Sequence, residues 1–76
     1  MSPEKLVYMA NQIAKFFAHK NDEEAIAGIA EHINSFWEKR MLMEIYAYLD
    51  ADGTGLDDRA KQALQRLKLA SPVAIT

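Results

Sequence analysis

The residues best spaced for chemistry lie in Asp50-Ala-Asp-Gly-Thr-Gly55, which begins like a calcium-binding loop. Carboxylates at its first and third positions, a hydroxyl at its fifth and a glycine at its sixth match the first half of an EF-hand, where hard oxygen ligands surround a cation. The second half does not follow. The eighth position, ordinarily apolar, is Asp57, and the twelfth, which must supply a bidentate carboxylate, is Lys61. A cation in place of the strongest ligand turns the reading towards an ordinary interhelical loop, with Gly53 and Gly55 available for positive φ.

The other reactive groups are scattered. His19 and His32, the only histidines, fall on different predicted helices, and neither has the partner four residues away that a zinc-gripping helix needs. His32 lies at the margin of an apolar stripe and reads as a boundary histidine satisfied by backbone or water. The chain has no cysteine, which removes thiolate nucleophiles, disulfides and Cys-ligated metal or iron–sulfur sites. Glu23, Glu24, Asp57 and Asp58 sit in predicted first helical turns, where they complement the helix dipole. No catalytic constellation emerges, so no residue is assigned to catalysis, to a cofactor or to a metal.

Composition sets the frame for these groups. A chain of 76 residues, half of them apolar, is one domain with enough material for a core. A chain so short buries only about 60% of its unfolded surface and often leans on a partner. The net charge of −2, with basic residues that do not cluster with aromatics, gives no footprint for nucleic acid. No apolar run approaches the ~18–20 residues that span a bilayer, and Met-Ser-Pro-Glu-Lys lacks the layout of a signal peptide. The expectation is a cytoplasmic protein whose partner is neither nucleic acid nor membrane.

Four helices are predicted, as one domain over residues 1–70 with a tail at 71–76. Ser2-Pro3-Glu4 supplies a cap, a first-turn proline and an acid, opening a helix to about His19. Its face is Leu6, Met9, Ala10, Ile13, Phe16 and Phe17. Asn21 caps the second helix, with Glu24 where a capping box places its acid. The two- to three-residue connection predicts an antiparallel pair.

The second helix carries Ile26, Ile29, Ile33, Phe36 and Trp37 on one side at about 100° per residue. Phe36 and Trp37 can each bury ~150–250 Å² and read as core, although Trp37, at a break, could reach the surface. Continued at the same pitch, Met41, Leu42, Ile45, Tyr48 and Leu49 drift off that stripe, so a bend at residues 37–40 is needed to return both faces to one core. Asp57 caps a fourth, shorter helix with Ala60, Ala63, Leu64 and Leu67 inward and Arg59, Lys61, Gln62 and Arg66 in water. Ser71-Pro72 stops it. The fold class is thus all-α, a small compact bundle of four helices.

Two features point to a partner. Ala25, Gly28, His32 and Ser35 form a strip of mostly small side chains that would let another backbone approach. Met43, Tyr46 and Ala47 stand off the third helix's stripe, so they either fill the far side of the core or lie exposed as a binding surface.

Three blocks of the sequence carry a resemblance. They are Met9-Ala-Asn-Gln-Ile-Ala-x-Phe16-Phe17, Ile29-Ala-x-His-Ile-x-x-Phe-Trp-x-x-Arg-Met41, and Tyr48-Leu-Asp50 with Gly53-x-Gly55-Leu56. Over about residues 6 to 67 the chain resembles the delta subunit of soluble, NAD-dependent, molybdenum-containing formate dehydrogenases. It departs where that family has Asp-Pro after the Trp, here Glu38-Lys39, and where the fourth helix begins Ser-Pro, here Asp57-Asp58.

The resemblance implies a non-catalytic, cofactor-free accessory subunit. Formate oxidation then belongs to a large subunit with molybdopterin and iron–sulfur clusters, on which this chain would dock to support assembly, cofactor insertion or stability. The resemblance and the helical faces together make Asn11, His32, Trp37, Arg40, Met41, Met43 and Tyr46 the candidate partner-binding residues. Arg40 stands out, because a guanidinium at a helix start opposes the dipole and needs a carboxylate, from a partner or from Asp50 or Asp52. The alternative is a self-contained homo-oligomeric helical module, and an isolated subunit could form a homodimer through the surface meant for its partner.

Overall fold

The computed structural model describes residues 2–70, so the tail from 71 and the Ser71-Pro72 stop lie outside the described residues. Within them the chain forms α1 (Pro3–Phe16), α2 (Asp22–Phe36), α3 (Lys39–Ala51) and α4 (Asp58–Ala70), an all-α bundle as expected. The caps act at the predicted places. Ser2 Oγ accepts from the Lys5 N–H, Asn21 Oδ1 from the Glu24 N–H at 2.9 Å, and Asp57 Oδ1 from the Arg59 N–H at 3.0 Å. Trp37 and Glu38 take extended backbone angles and separate α2 from α3, which is the expected bend. At 13 residues α4 is shorter than α1 and α2 and matches α3.

α1 ends three residues earlier than its sequence suggests. The connection is therefore Phe17–Asn21, five residues rather than two or three. It leaves α1 and α2 in contact, but α2 packs most extensively on α4. Two ion pairs mark that seam: Arg59 to Asp22 at 2.8 Å, and Arg66 to Glu23 through two hydrogen bonds of 2.8 and 2.9 Å. Arg59 also reaches the Phe17 carbonyl, so these arginines do more than face water. Arg66 holds the Glu23 carboxyl below its usual range by hydrogen bond and charge. Both side chains are solvated, where such a pair orders a surface more than it stabilises a fold.

The core joins Leu6, Ala10 and Ile13 of α1, Ile26, Ile29 and Ile33 of α2, Trp37 at the bend, Ile45 and Tyr46 of α3, and Ala60, Ala63 and Leu64 of α4. Two aromatic residues predicted to join it do not. Phe16 and Phe36 are 69% and 72% exposed. Adjacent residues on a helix diverge by about 100°, so only one of each Phe-Phe or Phe-Trp pair can face inward. Phe17 and Trp37 take those places, because at each site the helix ends and the following residue swings over the core.

Phe17 also fills the small-residue strip of α2. A Cβ built on Gly28 would lie 2.5 Å from its ring, and Ala25 is fully buried. The strip is therefore partly occupied by the chain itself. Gly28→Ala should gain up to about 1 kcal/mol in helix propensity but lose about 1–3 kcal/mol by overpacking against Phe17. A net destabilisation of about 1 kcal/mol in urea denaturation is expected. In a Phe17→Ala background the same change should become stabilising, and stabilisation in the unaltered chain would contradict this packing.

The loop from Asp52 to Asp57 is strapped to the bundle at three points. The Asn11 amide donates to the Gly55 carbonyl at 3.0 Å and accepts from the Asp57 N–H at 2.7 Å, while the Tyr48 hydroxyl donates to the Thr54 carbonyl at 2.7 Å. Gly53 and Gly55 have φ of 73° and 90°, the left-handed conformations anticipated for this turn. The calcium-like carboxylates are turned to other partners: Asp50 pairs with Lys68 on α4, and Asp52 accepts from the Thr54 hydroxyl.

Candidate binding groove

The exposed rings of Tyr8 and Phe36 gather with the partly buried Met9 and Met41 where α1 meets the α2–α3 bend. On α1, Tyr8, Met9 and Gln12 form one wall and Ile13 part of the floor. On the other side stand His32 and Phe36 from the last turns of α2, then Trp37 and Met41. The groove encloses about 390 Å³ and is chiefly apolar. Tyr8 is 63% exposed at its rim. His32 and Phe36, four residues apart on α2, stack with ring centroids 4.7 Å apart, so the imidazole extends the apolar wall.

Sharing Phe36 and Met41 with this groove is a second recess, which adds Glu38, Arg40 and Glu44. A further recess, between α1, α2 and α4, is lined by charged side chains that are largely engaged within the chain. There Asp22 pairs with Arg59, Asp57 caps α4 and Asp58 accepts from Gln62.

The candidate residues divide accordingly. His32, Trp37 and Met41 line the groove, although Trp37 is only 7% exposed and offers an edge. Arg40 is exposed beside it, and among the described residues no carboxylate lies within ion-pair distance of its guanidinium. Asp50 and Asp52, suggested as its partners, are taken by Lys68 and Thr54. Met43 is 57% exposed on α3.

Two candidates make contacts within the chain, and only Tyr46 of them is buried. Asn11 spends its amide on the 52–57 loop. Tyr46 is 7% exposed because Leu42, Ile45, Tyr46 and Leu49 make a continuous i, i+3, i+4, i+7 stripe on α3. Tyr8 and Gln12 were missed: they lie opposite the α1 core face, where sequence reads only solvent, and the bend alone brings a facing wall.

Burial raises the Tyr46 hydroxyl above its ordinary pKa of 10.0. The unfolded chain then releases this proton first, so stability is intact below that value and falls as pH rises through it. Between about pH 9 and pH 11 the melting temperature should fall less steeply for Tyr46→Phe than for the unaltered chain. Equal slopes would show that the ring is solvated.

The groove offers one imidazole, and among the described residues no three His, Cys, Asp or Glu side chains gather as a metal site. No helix among the described residues is long and apolar enough to cross a membrane. Fold and groove together define a small all-α bundle that carries an aromatic-rich apolar groove on its surface. The sequence profile of the NADH-dependant formate dehydrogenase delta subunit FdsD matches residues 5–64, and the chain belongs to that family. Comparison with curated proteins and with solved structures finds no match.

Proposed function

We propose that the chain is a non-catalytic accessory subunit that docks through this groove on the large molybdenum-containing subunit of formate dehydrogenase. The observation that carries the reading is the groove itself, with Tyr8 and Phe36 exposed on a chain of the delta-subunit family. Aromatic, Met and Arg side chains around a concave apolar patch are the composition of protein interfaces. A subunit that binds only the folded large chain stabilises it by mass action, which is how docking would support assembly, cofactor insertion or stability. On this reading the chain works in the cytoplasm, since the enzymes it resembles are soluble.

The test is recovery of the tagged chain from its host, with mass spectrometry of what co-elutes. Co-elution of the formate dehydrogenase subunits is the expected result. Recovery of the bait alone, running as a dimer by light scattering, would replace this reading with the homo-oligomeric one.

A further inference from the structure

Among the described residues the three ion pairs all involve α4: Arg59 with Asp22, Arg66 with Glu23 and Lys68 with Asp50. The other side, where α1 meets the α2–α3 bend, carries the exposed Tyr8 and Phe36 and has no such pairing among the described residues. There α3 begins with Lys39 and Arg40, has no acid in its first turn, and is preceded by Glu38, whose side chain makes no capping hydrogen bond. A cation at a helix start is opposed by the dipole. Glu38 and Glu44 share the recess with Arg40, but neither reaches it within 4 Å. This guanidinium, next to an apolar groove, lacks the carboxylate that the other interhelical cations have.

We propose that the occupant of the groove is an amphipathic helix of the large subunit, its apolar side chains seated between Tyr8 and Phe36 and an acidic residue on the same face paired with Arg40. This rests on the docking reading above and names the chemistry of the partner segment. The described residues contain no strand whose edge could hydrogen-bond an extended peptide, and the groove is walled by side chains, so recognition runs through side-chain anchors at i, i+3, i+4 and i+7. An acid one or two turns along such a helix would follow the shared Phe36–Met41 wall from the apolar groove into the Arg40 recess. Arg presents a planar fork that a carboxylate meets with two hydrogen bonds, whereas Lys keeps the charge without the fork.

The experiment uses the co-purified complex carrying Lys39→Arg with Arg40→Lys, treated with a carbodiimide that joins an amine to a carboxylate already in contact. A link should form from position 40 to an Asp or Glu of the large subunit, flanked by apolar residues at three- and four-residue spacing, and Lys39→Arg alone should abolish it. Arg40→Glu should weaken the complex by at least about tenfold, while Arg40→Lys should cost less. A complex that forms while position 40 links only within its own chain, to nothing, or to Glu38 or Glu44 of a second copy would overturn this inference and leave docking standing. No complex with the unaltered chain would overturn both.

Discussion

Trp37→Ala should lower the folding free energy by about 3–5 kcal/mol, the cost of a large aromatic cavity. A domain of this length has about 4–11 kcal/mol of stability in all, so one substitution at the bend removes a large fraction of it. The size follows from position. Trp37 is 7% exposed and joins the same core cluster as Ile33, Ile45 and Leu64, contributed by α2, α3 and α4. It does so from an extended residue rather than from a helix, so neither helical neighbour can turn to refill the space. Trp37→Phe keeps most of the apolar contact and should cost much less. Urea denaturation followed by circular dichroism measures both, provided the slope with denaturant is unchanged. A loss below about 1 kcal/mol for the alanine variant would mean that the indole is not a core group.

The four helices and the bend were legible because each signal acts over a few residues. Ser2, Asn21 and Asp57 announce helix starts by side-chain chemistry that needs no tertiary context. The bend at Trp37-Glu38 follows from a drifting apolar stripe, although neither Gly nor Pro marks it. What was not legible depends on which neighbour arrives. Phe16 and Phe36 look like core residues until Phe17 and Trp37 take the inward places. Asn11 looks like a surface contact until the 52–57 loop, more than forty residues away in sequence, closes over it. Arg59 and Arg66 look unpaired until α4 settles on the acidic start of α2. The groove belongs to this second kind, since Tyr8 and Phe36 are 28 positions apart and face one groove only through the packing of α1 beside the bend.

Phe36→Ala should do the reverse of Trp37→Ala, sparing the fold and weakening the complex. The ring is 72% exposed and stacks only on His32 within its own helix, a contact of about 0.2–0.5 kcal/mol for such i, i+4 pairs. Its removal should change folding stability by less than about 1 kcal/mol. An aromatic anchor that becomes desolvated against a partner is commonly worth 2 kcal/mol or more on truncation, a loss of about 30-fold in affinity. Phe36 lies where the apolar groove and the Arg40 recess meet, so an occupant of either must pass it. The comparison is made on one pair of proteins: urea midpoints of the isolated variants, and titration of each against the purified large subunit. Loss of binding with an unchanged midpoint identifies the ring as a contact. Unchanged binding together with an unchanged midpoint would remove this groove as the docking face. The adjacent positions 36 and 37 thus separate stability from recognition, because the end of α2 turns one aromatic into the core and leaves the other at the groove.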